Sequence, residues 1–151
     1  MESSLVLIKP DGIQRNLIGE IISRLEKKGL KCIACKLIHI NTQLAKTHYA
    51  IHQGKPFFDS LVKFISSGPS LAMVWEGENA IGNIRKIMGV TDPSIAELET
   101  IRGDLASTIG RNLVHGSDSK ENAKKEIKLF FNKSEIIKYK VTIEPWIIES
   151  E

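Results

Sequence analysis

The stretch Asn112-Leu113-Val114-His115-Gly116-Ser117-Asp118 decides how this chain is read. A short apolar run ends on a histidine, and a glycine beside it removes side-chain bulk. Two small polar residues then lead into a charged helical pattern from Ser119. An imidazole held at the mouth of a sheet can serve as proton shuttle, metal ligand or nucleophile, and its neighbours decide which. Elsewhere Lys9, Arg85, Arg102 and Arg111 each stand beside a glycine or a turn signal, and so near an element end. A histidine ringed by cations suits a multiply charged phosphate.

Working outward, residues 112–115 read as the last strand and 119–131 as the last helix, with Asp118 and Glu121 spaced as a capping box. At the other end, Leu5-Val6-Leu7-Ile8 is a buried strand stopped by the turn signal Pro10-Asp11-Gly12. Ile18, Ile21, Ile22 and Leu25 recur at helical spacing, with Asn16 as N-cap and Gly29 as stop. A strand over 31–41 follows, then helices over 43–50 and 57–66, a strand over 71–75, and a helix over 80–88 closed by Gly89. Residues 90–110 show no period and are expected to be a long ordered loop with a short helix. The order β-α-β-α-β-α-β with extra helices suits one domain over 1–151, a four-stranded ferredoxin-like α/β (α+β) sandwich of βαββαβ type. Periodicity alone leaves a parallel sheet open. On a regular strand Asn112 and His115 face opposite ways, so both reach one ligand only if Gly110 or Gly116 marks an irregularity.

Hydrophobic content of 42% with 26% charged residues is ordinary for a globular protein, and 151 residues can bury a substantial core. No apolar run approaches the ~20 residues that cross a bilayer, and Met1 to Ser4 lack a basic signal-peptide start. The expectation is a cytoplasmic protein without membrane contact. A net charge of +3 tolerates anionic ligands but falls short of a nucleic-acid signature. Cys32 and Cys35 are three apart on a strand and so expected on opposite faces, as half-buried structural thiols. His48 and His52 have the spacing of a two-histidine metal site, but no third ligand is evident, and surface or packing roles are expected.

There is no P-loop, no dinucleotide-binding glycine turn and no G-x-S-x-G, so any phosphate must be held by side chains and a metal ion. If His115 attacks phosphorus with one nitrogen, the other needs a carboxylate or carbonyl to orient it. Glu126 borders the stripe Ala123, Ile127, Phe130, at the core edge, although a solvated helix glutamate is the simpler reading.

These features carry a resemblance. N-x-x-H-G-S-D at 112–118 resembles the active-site signature of nucleoside diphosphate kinases. The match extends to Ile8-Lys9-Pro10-Asp11-Gly12, Gly19-Glu20-Ile21-Ile22, Pro56-Phe57-Phe58, Ala72-Met73-Val74-Trp75-Glu76-Gly77 and Thr100-Ile101-Arg102-Gly103-Asp104. The resemblance implies an antiparallel ferredoxin-like sheet. It also implies transfer of a γ-phosphate from a nucleoside triphosphate to a diphosphate through phospho-His115. Glu126 and Ser117 would orient the nucleophile and Tyr49 would help position it. Lys9 and Asn112 would hold the ribose, with Lys9 also on the transferred phosphate. Arg85, Thr91 and Arg102 would hold phosphates, and Phe57 and Ile109 would sandwich the base. Mg²⁺ would arrive with the nucleotide and have no direct protein ligand, Asp118 helping through water. A tail as long as Ile143-Glu144-Pro145-Trp146-Ile147-Ile148 and the loop proline Pro93 imply a homohexamer, although the tail could equally pack on its own subunit. The chain departs from the family at Ala96-Glu97-Leu98-Glu99, where relatives commonly carry lysine, proline and glycine. A nucleic-acid-binding or regulatory module on the same fold is the competing reading, and weak nucleic-acid binding is compatible with the enzyme.

Overall fold

Strand β1 (Glu2–Ile8) organises the molecule because both of its faces are buried. Its side chains alternate, so Val6 and Ile8 enter one apolar cluster and Leu5 and Leu7 enter the other. The computed structural model describes residues 1–150. In it β1 joins β2 (Lys31–His39), β3 (Pro69–Gly77) and β4 (Val114–Gly116) in the order β2-β3-β1-β4, every neighbour antiparallel. This is the βαββαβ ferredoxin-like sheet that was expected, and a parallel sheet is excluded.

Among the described residues, seven α-helices clothe it: α1 (Pro10–Gln14), α2 (Ile18–Lys27), α3 (Thr42–His48), α4 (Phe58–Ile65), α5 (Ala80–Met88), α6 (Ile101–Leu105) and α7 (Lys120–Phe130). The crossovers α2 and α5 set Ile21, Leu25, Ile84 and Met88 against Val6, Ile8, Met73 and Trp75. The opposite face would be bare in a minimal βαββαβ unit. Here α3 and α4, inserted between β2 and β3, cover it together with α7 through Ala45, Val62, Ile65 and Phe130. Gly116 lets β4 approach α5, since a Cβ there would lie 2.9 Å from the Met88 sulfur.

Several local expectations are corrected. Strand β1 does end before Pro10-Asp11-Gly12, but this segment opens α1 rather than a turn, with proline in the first turn of the helix where its missing N–H costs nothing. Asn16 is not an N-cap; at φ 55° it makes the left-handed turn between α1 and α2, whose N-cap is Leu17. The capping box at 118–121 is absent: Ser119 caps α7 by accepting from the Asn122 amide at 3.1 Å. The last strand is Val114–Gly116, not 112–115, and the irregularity lies at neither glycine. Leu113 adopts φ 73°, which breaks the alternation and releases Asn112 from the strand. Cys32 and Cys35 are not separated by strand alternation either. A bulge between Cys32 and Ala34 shifts the register, and the thiols come close enough to perturb each other's ionisation.

Candidate active site

His115 sits on β4 opposite Leu7 of β1, which fixes its backbone in the sheet. Its Nε2 lies 2.5 Å from Oε2 of Glu126, near the middle of α7, leaving Nδ1 as the ring nitrogen free to meet a ligand. Burial pushes the Glu126 carboxyl up, but hydrogen bonds from His115 and Ser117 and the charge on His115 outweigh it, so the group stays below its ordinary value. Ser117 also accepts the Leu5 amide at 3.1 Å, tying the pair to β1. Glu126 is therefore not the solvated helix residue of the simpler reading.

The ring of His48, the last residue of α3, meets that of His115 edge-on at 4.7 Å between centroids. Its side chain is 2% exposed, and neither ring nitrogen has a hydrogen-bond partner. Burial, reinforced by His115, drops its pKa to about 3, so the ring is neutral near pH 7. Tyr49 follows it in sequence, its ring 4.7 Å from that of His48. Burial and the carboxylates of Asp11 and Glu126 push the Tyr49 phenol to about 12, so it remains protonated.

A second group forms where β1 ends. The Lys9 ammonium donates to Oδ1 of Asn112, and the Asn112 amide donates to the Thr91 carbonyl at 3.0 Å. The Leu113 kink that aims Asn112 inward is held from both sides. Lys9 N–H donates to the Leu113 carbonyl at 2.9 Å, and Leu113 N–H donates to Oδ2 of Asp11 at 3.0 Å. Lys9 is buried, and that desolvation holds its pKa down at about 8 against the pull of Asp11.

Arg102 links the two groups. Its guanidinium donates to the carbonyls of Asn112, Gly89 and Val114 at 3.2, 2.9 and 2.7 Å. These bonds use three of its five N–H donors, leaving two for a ligand. Burial and the neighbouring charge of Arg85 lower it to about 10, so it stays cationic near pH 7. Arg85 also helps keep the exposed Asp118 ionised, after the dominant hydrogen bond from Asn122. Arg111 lies over the Phe64 ring at 4.0 Å, and Lys9 approaches the same ring. Phe57 and Ile109 are exposed apolar side chains, Phe57 resting against His52.

Folding thus gathers His115, Glu126, Ser117 and Tyr49 in one group and Lys9, Asn112 and Thr91 in another, joined by Arg102. Phe57 reaches the first group only through His52, whose ring lies 6.3 Å from that of Tyr49. Sequence reasoning missed His48 as a member of the site. The signal was its helical phase, since His48 follows Ala45 by three and Leu44 by four, on the side of α3 that packs on the core. Asp11, read as a turn residue, was missed as the anchor of the Leu113 kink.

The family model for nucleoside diphosphate kinase matches residues 2–136. The chain is 52% identical over 149 residues to the nucleoside diphosphate kinase of Carboxydothermus hydrogenoformans, covering 99% of this chain and 100% of the relative. It is 55% identical over 149 residues to that of Staphylococcus epidermidis, with the same coverage. Its fold superposes with a TM-score of 0.96 on the Halobacterium salinarum nucleoside diphosphate kinase solved with CDP, at 48% identity and covering 98% and 99% of the two chains. A family member from Babesia bovis superposes at 0.95 with 42% identity, covering 98% and 100%. With its antiparallel sheet, its histidine–glutamate pair and matches of this extent, the chain belongs to the nucleoside diphosphate kinase family and is a phosphotransferase.

Proposed function

We propose that His115 of this nucleoside diphosphate kinase carries the phosphoryl group between nucleotides in a ping-pong cycle. The observation that carries the reading is the 2.5 Å contact between His115 Nε2 and Glu126. It holds the ring proton on Nε2 and leaves the Nδ1 lone pair for attack. As the bond from the γ-phosphorus to the bridging oxygen breaks and the bond to Nδ1 forms, the ring becomes cationic and Glu126 stabilises it. A second nucleoside diphosphate reverses the step.

Phosphoryl transfer depends mostly on positioning and charge neutralisation. Lys9, Arg85 and Arg102 supply the charge, Thr91 helps hold phosphate, and Asn112 with Lys9 holds the ribose hydroxyls. Tyr49 positions the nucleophile by packing. Phe57 and Ile109 enclose the base by apolar contact, which every base can satisfy, so base selectivity is weak. The Halobacterium relative, solved with CDP, supports a nucleotide ligand.

The residues present fit a Mg²⁺ ion that arrives on the nucleotide. Among the described residues, the one metal-competent cluster contains two histidines, whereas Mg²⁺ prefers an oxygen shell. Asp118, exposed and held ionised, suits contact through a water. When bound, Mg²⁺ neutralises charge on the transferring phosphates.

A non-enzymatic nucleic-acid module is less well supported, because helices cover both faces of the sheet and leave no open platform for stacking bases. No helix of the described residues is long and apolar enough to cross a membrane. We place the enzyme in the cytoplasm as a homohexamer. Incubation with γ-labelled ATP is expected to leave acid-labile, base-stable label on the protein. Normal labelling and turnover in His115→Ala would overturn the mechanism.

A further inference from the structure

We infer that His48, His115 and Glu126 form a binding site for a zinc-like divalent transition metal, and that the bound ion silences the nucleophile. Three elements converge here, α3, β4 and α7, each contributing one ligand. One ligand atom of each residue lies within 4.8 Å of the others. His48 Nδ1 is 3.8 Å and His115 Nε2 is 2.5 Å from Oε2 of Glu126.

Two observations beyond proximity point to a ligand. His48 is nearly sealed from solvent, yet both of its ring nitrogens lack partners, as does Oε1 of Glu126. Buried polar atoms are ordinarily satisfied, so an unpartnered His48 nitrogen 3.8 Å from the Glu126 carboxylate calls for an occupant. Its chemistry follows from the donors. Two imidazoles and a carboxylate, with a fourth position open, make the donor set of Zn²⁺ sites and a poor one for Mg²⁺.

The two distances to Glu126 lie close to those of a tetrahedral site. Ligands about 2.0–2.1 Å from a tetrahedral ion stand roughly 3.3 Å apart. The 3.8 Å pair must close by about 0.5 Å, and the 2.5 Å pair must open by less than 1 Å. His48 is the fixed member, wedged edge-on against Phe130 and beside Tyr49.

Inhibition follows from the tautomer. A coordinating nitrogen presents its lone pair, so a metal at His115 Nε2 displaces the proton there. Neutral imidazole keeps one ring proton, which then resides on Nδ1, the atom that attacks phosphorus. Zinc thus lowers the rate of phosphoenzyme formation without occupying the nucleotide's place. The binding rests on the donor cluster alone; the inhibition rests on the reading of His115 as nucleophile, and the two are measured separately.

Binding is read by titrating Zn²⁺ against a chromophoric chelator, in a Cys32→Ser/Cys35→Ser background that removes the other zinc-avid pair. One equivalent is expected to bind, unaffected by millimolar Mg²⁺. His48→Gln should weaken binding at least tenfold, while His52→Gln, outside the cluster, leaves it unchanged. Visible absorption of Co²⁺ in the same site should report nitrogen coordination in the unmutated triad, independently of how the variants fold. Absent binding, or equal affinity in His48→Gln, overturns the site. For the second half, Zn²⁺ should suppress phosphoenzyme formation reversibly, and ring ¹⁵N shifts should move the His115 proton from Nε2 to Nδ1. Full phosphorylation with zinc bound overturns the inhibition and leaves the site standing; loss of labelling in His115→Ala separately tests the nucleophile.

Discussion

At the scale of single residues, Lys9 carries the sharpest pH signature. Its folded pKa, about 8, lies below the ordinary 10.5 because burial opposes the charge. As pH rises through about 8, the free enzyme loses the cation proposed to meet phosphate, so kcat/KM should fall. Bound phosphates raise the pKa again, so kcat should hold to higher pH, and Lys9→Gln should abolish the limb. A kcat/KM that stays flat across that range would remove Lys9 from phosphate binding. The linkage has the opposite sign for stability. The penalty of burying the charge, ~3 kcal/mol for a shift of this size, is fully present below pH 8 and is relieved between about 8 and 10.5. Arg102 differs in kind, because three of its donors hold backbone carbonyls. Arg102→Met would leave these acceptors unsatisfied, and we expect a loss of ~3 kcal/mol in denaturant unfolding together with weaker nucleotide binding. Weaker binding with an unchanged unfolding midpoint would show that the clamp is dispensable.

At the scale of elements, the loop from Val90 to Thr100 shows how the chain's departure from its family is accommodated. Glu99, within the Ala96–Glu99 stretch where relatives commonly carry lysine, proline and glycine, occupies a left-handed conformation, φ 74°. A side chain there costs about 1–2 kcal/mol, and glycine's greater unfolded-state freedom returns about half. Glu99→Gly is therefore expected to stabilise by ~0.5–1 kcal/mol, a rise of roughly 2 °C in thermal melting. A lower melting temperature would mean that the Glu99 side chain makes a compensating contact. The loop is held regardless of that strain: Glu99 N–H donates to Asp104 and its carbonyl accepts from Arg24. Gly103 is indispensable to the turn, since a Cβ there would lie 1.9 Å from the Glu97 carbonyl oxygen.

At the scale of the whole molecule, apolar surface marks where copies of the chain are proposed to meet. Ile95 and Leu98 are 73% and 78% exposed on the loop after α5. In the tail, Ile147 packs over Gly29 of its own chain, whereas Trp146 is 89% exposed. Strand β2 ends the sheet order and presents Leu37 outward, an edge that pairing would protect. Light scattering is expected to return six times 16.8 kDa. A fourfold mass would indicate a tetramer, and an active monomer would refute assembly as a requirement.

The sequence by itself determined the elements that local patterning controls. Helix α5, Ala80 to Met88 closed by glycine, lies where its apolar spacing put it, and the β1 run alternates into two cores as written. The motif around His115 likewise announced the family, because it is contiguous and its neighbours are small. What tertiary structure decided are the places where distant groups override local preference. Leu113, an apolar residue with no intrinsic taste for a left-handed backbone, is held there by Asp11 and Lys9, which lie about a hundred positions away. His48 gave only a spacing in sequence, yet packing of α3 against β4 and α7 makes it a neighbour of His115. Periodicity reports which face of an element is buried; which charged and polar groups meet there depends on how the elements cross, and that is settled only when the cores close.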